Sequence, residues 1–355
     1  MAQRIELLGG RLSADAGYLV SRSRARPEDL VVLSGTLLEG FGNEYSDLDV
    51  YVIGHELPEA TAEDASSTVV REDSRVRRRA EKLASAADAM LDIQYYTLQE
   101  LQTLARSLNE LYRESRRSTQ IFRKTLHGED EDLIHKLMTG RILQEGAHQF
   151  DARSVFDVAK FCFLKYRNEI GGYPEFRDLA GSWIDGDLDT CLLNTRGYLI
   201  AQVSGMMFLA GSTNPRPKWF VRRLQSLGDE YTPLRTGTLR WLCSGWTSTA
   251  RKREAITSAC DLMDVAYEHV RALLGSNSAY FDVAEARMLT EQEFSDRGLR
   301  DRDAMAEWQL RRRMFGEPGP SIAELLRRGI RNLNGQESGL RRRARAALKL
   351  GVAPN

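Results

Sequence analysis

Cysteine is scarce in this chain: four in 355 residues (Cys162, Cys191, Cys243 and Cys260), with no C-x-x-C pair and no Cys/His cluster. That spacing excludes a cysteine-built zinc site and a disulfide framework, and predicts buried free thiols in a reducing cytoplasm. Long apolar runs are missing as well. The most apolar stretch, residues 197–211, is broken by Gln202 and Ser204, so no membrane-spanning helix is expected. The first residues run into an amphipathic stretch without an apolar signal core, which predicts a cytoplasmic protein with no membrane partner. Net charge is absent too: 50 basic side chains meet 50 acidic ones. A field that would draw the whole protein to nucleic acid or membrane is thereby excluded. The balance hides an asymmetry, because residues 311–355 carry +8 and the remainder −8.

The content of the chain is that of an ordinary globular protein, 42% hydrophobic and 28% charged, and its length exceeds one compact core. Leu30-Val31-Val32-Leu33 reads as a buried strand ended by Ser34-Gly35. Residues 47–53 alternate, with Asp47, Asp49 and Tyr51 on one face and Leu48, Val50 and Val52 on the other. Residues 68–70 can form a further strand. Residues 90–96 form another, with Asp92, Gln94 and Tyr96 sharing a face, and Thr97 is placed to cap the helix after it. Helical spacing is expected over residues 4–23, 98–126, 130–150, 152–168, 188–209, 218–227, 234–243, 247–274, 290–314, 321–333 and 341–350. Residues 71–87 are expected to be an arginine-rich stretch running into a helix, with Arg75, Arg77, Arg78 and Arg79 on a solvated face. The expected fold class is α+β. A small mixed-sheet domain (1–125) precedes an all-helical domain (126–310) and a basic helical tail (311–355).

The segment that carries chemistry runs from Leu33 to Val52. Gly35-Thr36, after a strand and at the start of a short helix, offers backbone N–H groups and a hydroxyl to an anion. Asp47 and Asp49 send both carboxylates to one face of the next strand, where they repel unless a cation sits between them. Phosphates on one side and a divalent cation on the other describe a Mg-nucleotide site, and Asp92 on the open face of a later strand completes a three-carboxylate cluster.

In these residues the sequence resembles the DNA polymerase β-like nucleotidyltransferase superfamily. That signature is a strand, Gly-Gly or Gly-Ser, about ten residues, Asp/Glu-apolar-Asp on the next strand, and a third carboxylate later. Gly35-Thr36, Asp47-Leu48-Asp49 and Asp92 fill those places, with Thr36 as a hydroxyl-preserving departure. The approach Gly40-Phe41-Gly42-Asn43-Glu44-Tyr45-Ser46 is most similar to the branch holding the minimal and antibiotic nucleotidyltransferases. The resemblance covers roughly residues 25–100.

It implies a polymerase β-like palm domain and a Mg²⁺-dependent enzyme that moves a nucleoside monophosphate from an NTP, ATP among them, to a hydroxyl and releases pyrophosphate. Asp47, Asp49 and Asp92 are then the catalytic and metal residues for two Mg²⁺ ions, with Mn²⁺ able to substitute. Asp92 is also a candidate general base. Gly35 and Thr36 hold the β/γ-phosphates, and Ser46 helps to set the first carboxylate. The cation that a helical domain supplies to the triphosphate is sought in residues 211–220, where Arg216 and Lys218 follow a long helix. Glu145 is an alternative base, and His135 and His148 are read as core or surface histidines.

Three acceptors are open. A small hydroxylated molecule is favoured; Glu129-Asp130-Glu131-Asp132 and the acids at 185, 187 and 189 can attract a cationic one but read first as solvated loops. The others are a second nucleotide, giving a signalling oligonucleotide as in bacterial cGAS-like enzymes, and a protein or nucleic acid reached through the basic tail.

Overall fold

The computed structural model describes residues 4–43, 45–57, 68–70, 77–82, 90–147, 155–297 and 302–327. In chain order the first elements are β1 (Arg4–Leu7), β2 (Leu12–Asp15), α1 (Ala16–Arg22), β3 (Leu30–Ser34), β4 (Leu48–Gly54), β5 (Thr68–Val70), β6 (Arg77–Lys82) and β7 (Met90–Thr97). They are followed by α2 (Leu98–Ser115), α3 (Gly128–Thr139) and β8 (Arg141–Gln144). Six strands form one mixed sheet in the order β5-β6-β7-β4-β3-β8, in which β4 and β7 run parallel and every other neighbouring pair antiparallel.

Alternation decides which way this sheet faces. Val31 and Leu33 of β3, Leu48, Val50 and Val52 of β4, and Leu91, Ile93 and Tyr95 of β7 share one core with Ile5, Leu7, Ala16 and Leu19. Each such aliphatic side chain, fully buried, contributes about 1.5–3 kcal/mol, so a one-residue register slip would be prohibitive. The same alternation turns Asp49 and Tyr51 of β4, and Asp92, Gln94 and Tyr96 of β7, to the opposite face. There α3 lies against β3, with Ser34 Oγ donating to the Lys136 carbonyl at 2.7 Å.

Several stretches differ from the periodicity reading; the helix expected over 98–126, for one, ends at Ser115. Residues 4–23 are a hairpin followed by a short helix. Gly9 and Gly10 (φ +66° and +88°) close a turn that pairs Leu7 with Leu12, and Asp15 then caps α1 by accepting from Tyr18 N at 2.8 Å. Arg77, Arg78 and Arg79 lie on β6 and not on a helix, paired in register with Tyr95, Gln94 and Ile93. Residues 130–150 are not one helix, because α3 ends at Gly140 and the chain turns into β8. A side chain at 140 would overlap Val32 and crowd the Lys136 and Leu33 carbonyls, so glycine permits the close approach of helix to sheet. The end of the helix expected up to residue 87, Arg75 and His148 lie outside the described residues.

Residues up to Leu111 group with Leu126–Phe161 and Thr213–Arg222 as one compact unit; Tyr112–Thr125, Cys162–Ser212 and the residues from Arg223 onward form a second. The second unit is helical, built round the 22-residue helix Leu188–Leu209 with Tyr173–Asp185 and Thr249–Leu274. The stretch expected as one helix over 290–314 is two, Val283–Arg297 and Arg302–Met314. The first arginines of the basic segment are neutralised within this unit: Arg311 pairs with Glu293 and Glu307, Arg312 with Glu317, and Arg313 with Asp264 and Glu268. The helix expected at 341–350 lies outside the described residues. Cys162, Cys191 and Cys260 are buried thiols, and Cys243 is exposed. Among the described residues no helix is long and apolar enough to cross a membrane.

Candidate active site

Two strand registers assemble the site. In the parallel β4–β7 pair Asp49 stands opposite Asp92, so both side chains leave the same face side by side. Asp47, two residues before Asp49, returns to that face, and one carboxylate oxygen from each of the three acids lies within 4.8 Å of the others. In the antiparallel β3–β4 pair Ser34 stands opposite Asp49, which brings the next residue, Gly35, against the Asp49 carboxylate. Gly35 has φ +99°, and a methyl group there would overlap Asp49 Oδ2. Only glycine meets both the conformation and the approach.

The chain after Gly35 makes a tight turn. Leu38 N and Glu39 N donate to the Gly35 carbonyl, and Phe41 N and Gly42 N to the Thr36 carbonyl at 2.9 and 2.8 Å. Ser46 Oγ accepts from Asn43 N at 3.0 Å, and Asn43 Oδ1 accepts from Tyr45 N, so Ser46 closes the loop that delivers Asp47. A side chain at Gly42 would touch both Thr36 Oγ1 and Ser46 Oγ, which places these two hydroxyls at the same small glycine. The sequence-predicted residues Gly35, Thr36, Ser46, Asp47, Asp49 and Asp92 are therefore brought together at the N-terminal ends of the central strands β4 and β7.

Electrostatics distinguish the three acids. Asp47 is exposed, Asp92 half-buried and Asp49 buried. Burial pushes the Asp49 carboxyl up from 3.8 to about 6, against the pull of Lys136 and with the help of Asp47 and Asp92. Lys136 Nζ donates to Asp49 Oδ1 at 2.7 Å and lies 5.6 Å from the centre of the Tyr51 ring. Burial works against its charge, yet the surrounding carboxylates of Asp49, Asp132 and Asp92 hold the Lys136 ammonium above its ordinary value. Asp92 Oδ2 accepts from Gln94 Nε2 at 3.0 Å, and Tyr96 OH donates to Gln94 Oε1, which fixes the amide.

Helix α3 supplies residues whose place the sequence reading did not find. Asp132, His135 and Lys136 sit at i, i+3 and i+4, one face of a helix. Arg216 Nε and Nη2 donate to the two Asp132 oxygens at 3.0 and 2.9 Å, and Lys136 Nζ stands 3.5 Å from Asp132 Oδ2. Burial of Asp132 raises its pKa, but the Arg216 hydrogen bonds and the Lys136 and Arg216 charges bring it below the ordinary carboxylate value. His135 is a buried core histidine whose ring nitrogens meet Thr213 Oγ1 at 2.8 Å and Glu39 Oε1 at 3.2 Å. Of the acidic run 129–132, Glu129, Asp130 and Glu131 form the first turn of α3, where the helix dipole favours carboxylates, and Asp132 follows as a buried residue.

Of the two loop cations, Arg216 is engaged by Asp132. Lys218 is exposed, 5.1 Å from the centre of the Trp219 ring, and Trp219 in turn meets Phe41 at 6.1 Å. Glu145 follows β8 as an exposed residue and is not on a helix. The helical signal that could have exposed Lys136 is the Asp132–Lys136 spacing; nothing in sequence says that this face meets β4.

The donors are three hard carboxylate oxygens, one of them pushed up by burial among like charges, and such a set fits a divalent cation such as Mg²⁺. No family model matches the chain, and no curated protein does. Among solved structures it is similar to a nucleotidyltransferase-like protein from Exiguobacterium sibiricum 255-15, at 13% identity over 80% of this chain and 89% of that one, with a TM-score of 0.36.

Proposed function

We propose that the protein is a nucleotidyltransferase that moves a nucleoside monophosphate from an NTP to a hydroxyl of a small acceptor. The observation that carries this reading is the register: Asp49 opposite Asp92, Asp47 two residues earlier, and Gly35 packed on the Asp49 carboxylate. It sets a turn suited to phosphates against a cluster suited to a divalent cation.

Asp47, Asp49 and Asp92 would hold Mg²⁺, which when bound neutralises charge on the triphosphate and on the departing pyrophosphate. Gly35 and Thr36 present N–H groups and a hydroxyl to the β/γ-phosphates, and Ser46 holds the loop before Asp47. Lys218, exposed on the loop, supplies a further positive charge to the triphosphate. The acceptor hydroxyl loses its proton to Asp92, its oxygen bonds to the α-phosphorus, and the bond from that phosphorus to the bridging oxygen breaks as pyrophosphate leaves. Asp132 is a poor second base because Arg216 and Lys136 hold it ionised.

The test is pyrophosphate release with each of the four NTPs and Mg²⁺, with and without a panel of hydroxylated compounds that includes aminoglycosides, followed by mass analysis. A compound heavier by one nucleoside monophosphate supports the reading. Oligonucleotides formed without any added compound would replace the small acceptor by a second nucleotide. Turnover surviving in Asp47→Ala/Asp49→Ala would overturn the assignment of the acids.

A further inference from the structure

We propose that Lys136 is a built-in cation of the acidic cluster, so that the loaded site holds one divalent ion and not the two that three carboxylates suggest. The inference rests on the nucleotidyltransfer reading above and departs from the two-ion expectation of the sequence.

Charge is the first argument. Asp47, Asp49 and Asp92 bring three negative charges together, and the Lys136 ammonium, bonded to the most buried of them, cuts the protein's own share to two, which weakens the pull on a second divalent ion. A second divalent ion would face a fixed positive charge at the carboxylate it has to share. Oxygen availability is the second. Asp49 Oδ1 accepts from Lys136 at 2.7 Å, and Oδ2 points toward Gly35. Oδ1 keeps a lone pair, but an ion placed on it would stand against the ammonium bonded to the same oxygen.

The third argument is that Lys136 is held in place, unlike a long surface lysine that can swing aside. Its backbone carbonyl accepts from Ser34 Oγ, and its ammonium sits between Asp49 and Asp132 over the Tyr51 ring. Asp132 is itself clamped by both donors of Arg216, and the neighbouring His135 is bonded to Glu39 and Thr213. Moving the ammonium would break several contacts at once. Lys136 is thus a positioning residue, fixing the charge and one oxygen of Asp49.

The experiment counts ions with Mn²⁺ as the probe, by electron paramagnetic resonance of the full chain with the α,β-methylene analogue of ATP bound. Wild type should bind one Mn²⁺ per chain and show no spin-coupled pair. Lys136→Gln should either bind a second, spin-coupled Mn²⁺ or bind the first at least roughly tenfold more tightly, because one positive charge has gone. Lys136→Met, which keeps the apolar stem, repeats the measurement without a new polar group. A spin-coupled pair in wild type overturns the proposal while leaving the nucleotidyltransfer reading intact. Unchanged Mn²⁺ number and affinity in both variants also overturns it. No Mn²⁺ bound by wild type sinks the metal site itself, and the inference with it. Should neither variant fold, the wild-type spectrum alone decides.

Discussion

Replacing Asp49 by asparagine should make the protein harder to unfold at pH 7 in a chelator, although it removes a residue assigned to the chemistry. A carboxyl whose folded pKa lies above its unfolded value binds more protons folded than unfolded. Its contribution to stability is therefore complete below the unfolded value, 3.8, and is lost as pH rises through the folded value, about 6. At 1.36 kcal/mol per pH unit, the interval from 3.8 to about 6 amounts to about 3 kcal/mol at pH 7. That figure already includes the attraction of Lys136, which is in place when the carboxyl titrates near 6. Asparagine resembles the protonated acid in shape and can still accept from Lys136, so most of the 3 kcal/mol should be recovered. Urea midpoints of the two proteins, taken from pH 4 to pH 8 in EDTA, test this: the curves should converge near pH 4 and separate by pH 7. Excess Mg²⁺ should close the gap by stabilising wild type alone, by about 3 kcal/mol at a hundred times its dissociation constant. A variant less stable than wild type at pH 7 in EDTA, or a difference that does not vary with pH, would refute the reasoning.

Other perturbations separate the parts of the site. Gly35→Ala should destabilise by about 2 kcal/mol or more in denaturant titration and weaken Mn²⁺ binding, because a methyl group at φ +99° is strained and displaces the Asp49 carboxylate. Lys218→Ala should raise the KM for the NTP several-fold with little change in stability, since the ammonium is exposed; an unchanged KM would remove it from the triphosphate. Arg216→Ala should cost about 1 kcal/mol, as its guanidinium is half exposed, and should raise the Asp132 pKa, measurable by NMR titration.

Much of this site was legible in the chain because strand alternation is a local property. Asp47 and Asp49 share a face by period alone, as do Asp92 and Gln94, and Thr97 caps α2 through reciprocal hydrogen bonds with Glu100. The α+β division followed from where alternation gives way to helical spacing. What sequence could not supply is which elements meet. The pairing of β4 with β7 depends on packing across the sheet, and the docking of α3 on β3 depends on Gly140, whose glycine reads locally as any turn. The hairpin at residues 4–15 reads locally as helix because Leu7, Leu8 and Leu12 recur at helical spacing, and the deciding feature is the positive φ of Gly9 and Gly10. Residues 126–161 and 213–222 joined the first unit through contacts between segments far apart in the chain, which no window of sequence records.

The opposition of Asp49 and Asp92 has a consequence for how such a protein can change. The two acids are 43 positions apart, yet their spacing is set by the parallel register of β4 with β7. Residues inserted just past the end of β4, at His55 or Glu56, would add loop-closure cost only slowly with length and would leave that register unchanged. One residue added within β7 before Asp92 would instead turn its acid toward Leu91 and Ile93 and abolish the cluster. Tolerance to insertion should therefore be sharply uneven: broad just beyond the end of β4, and nil across a few residues at the centre of the sheet.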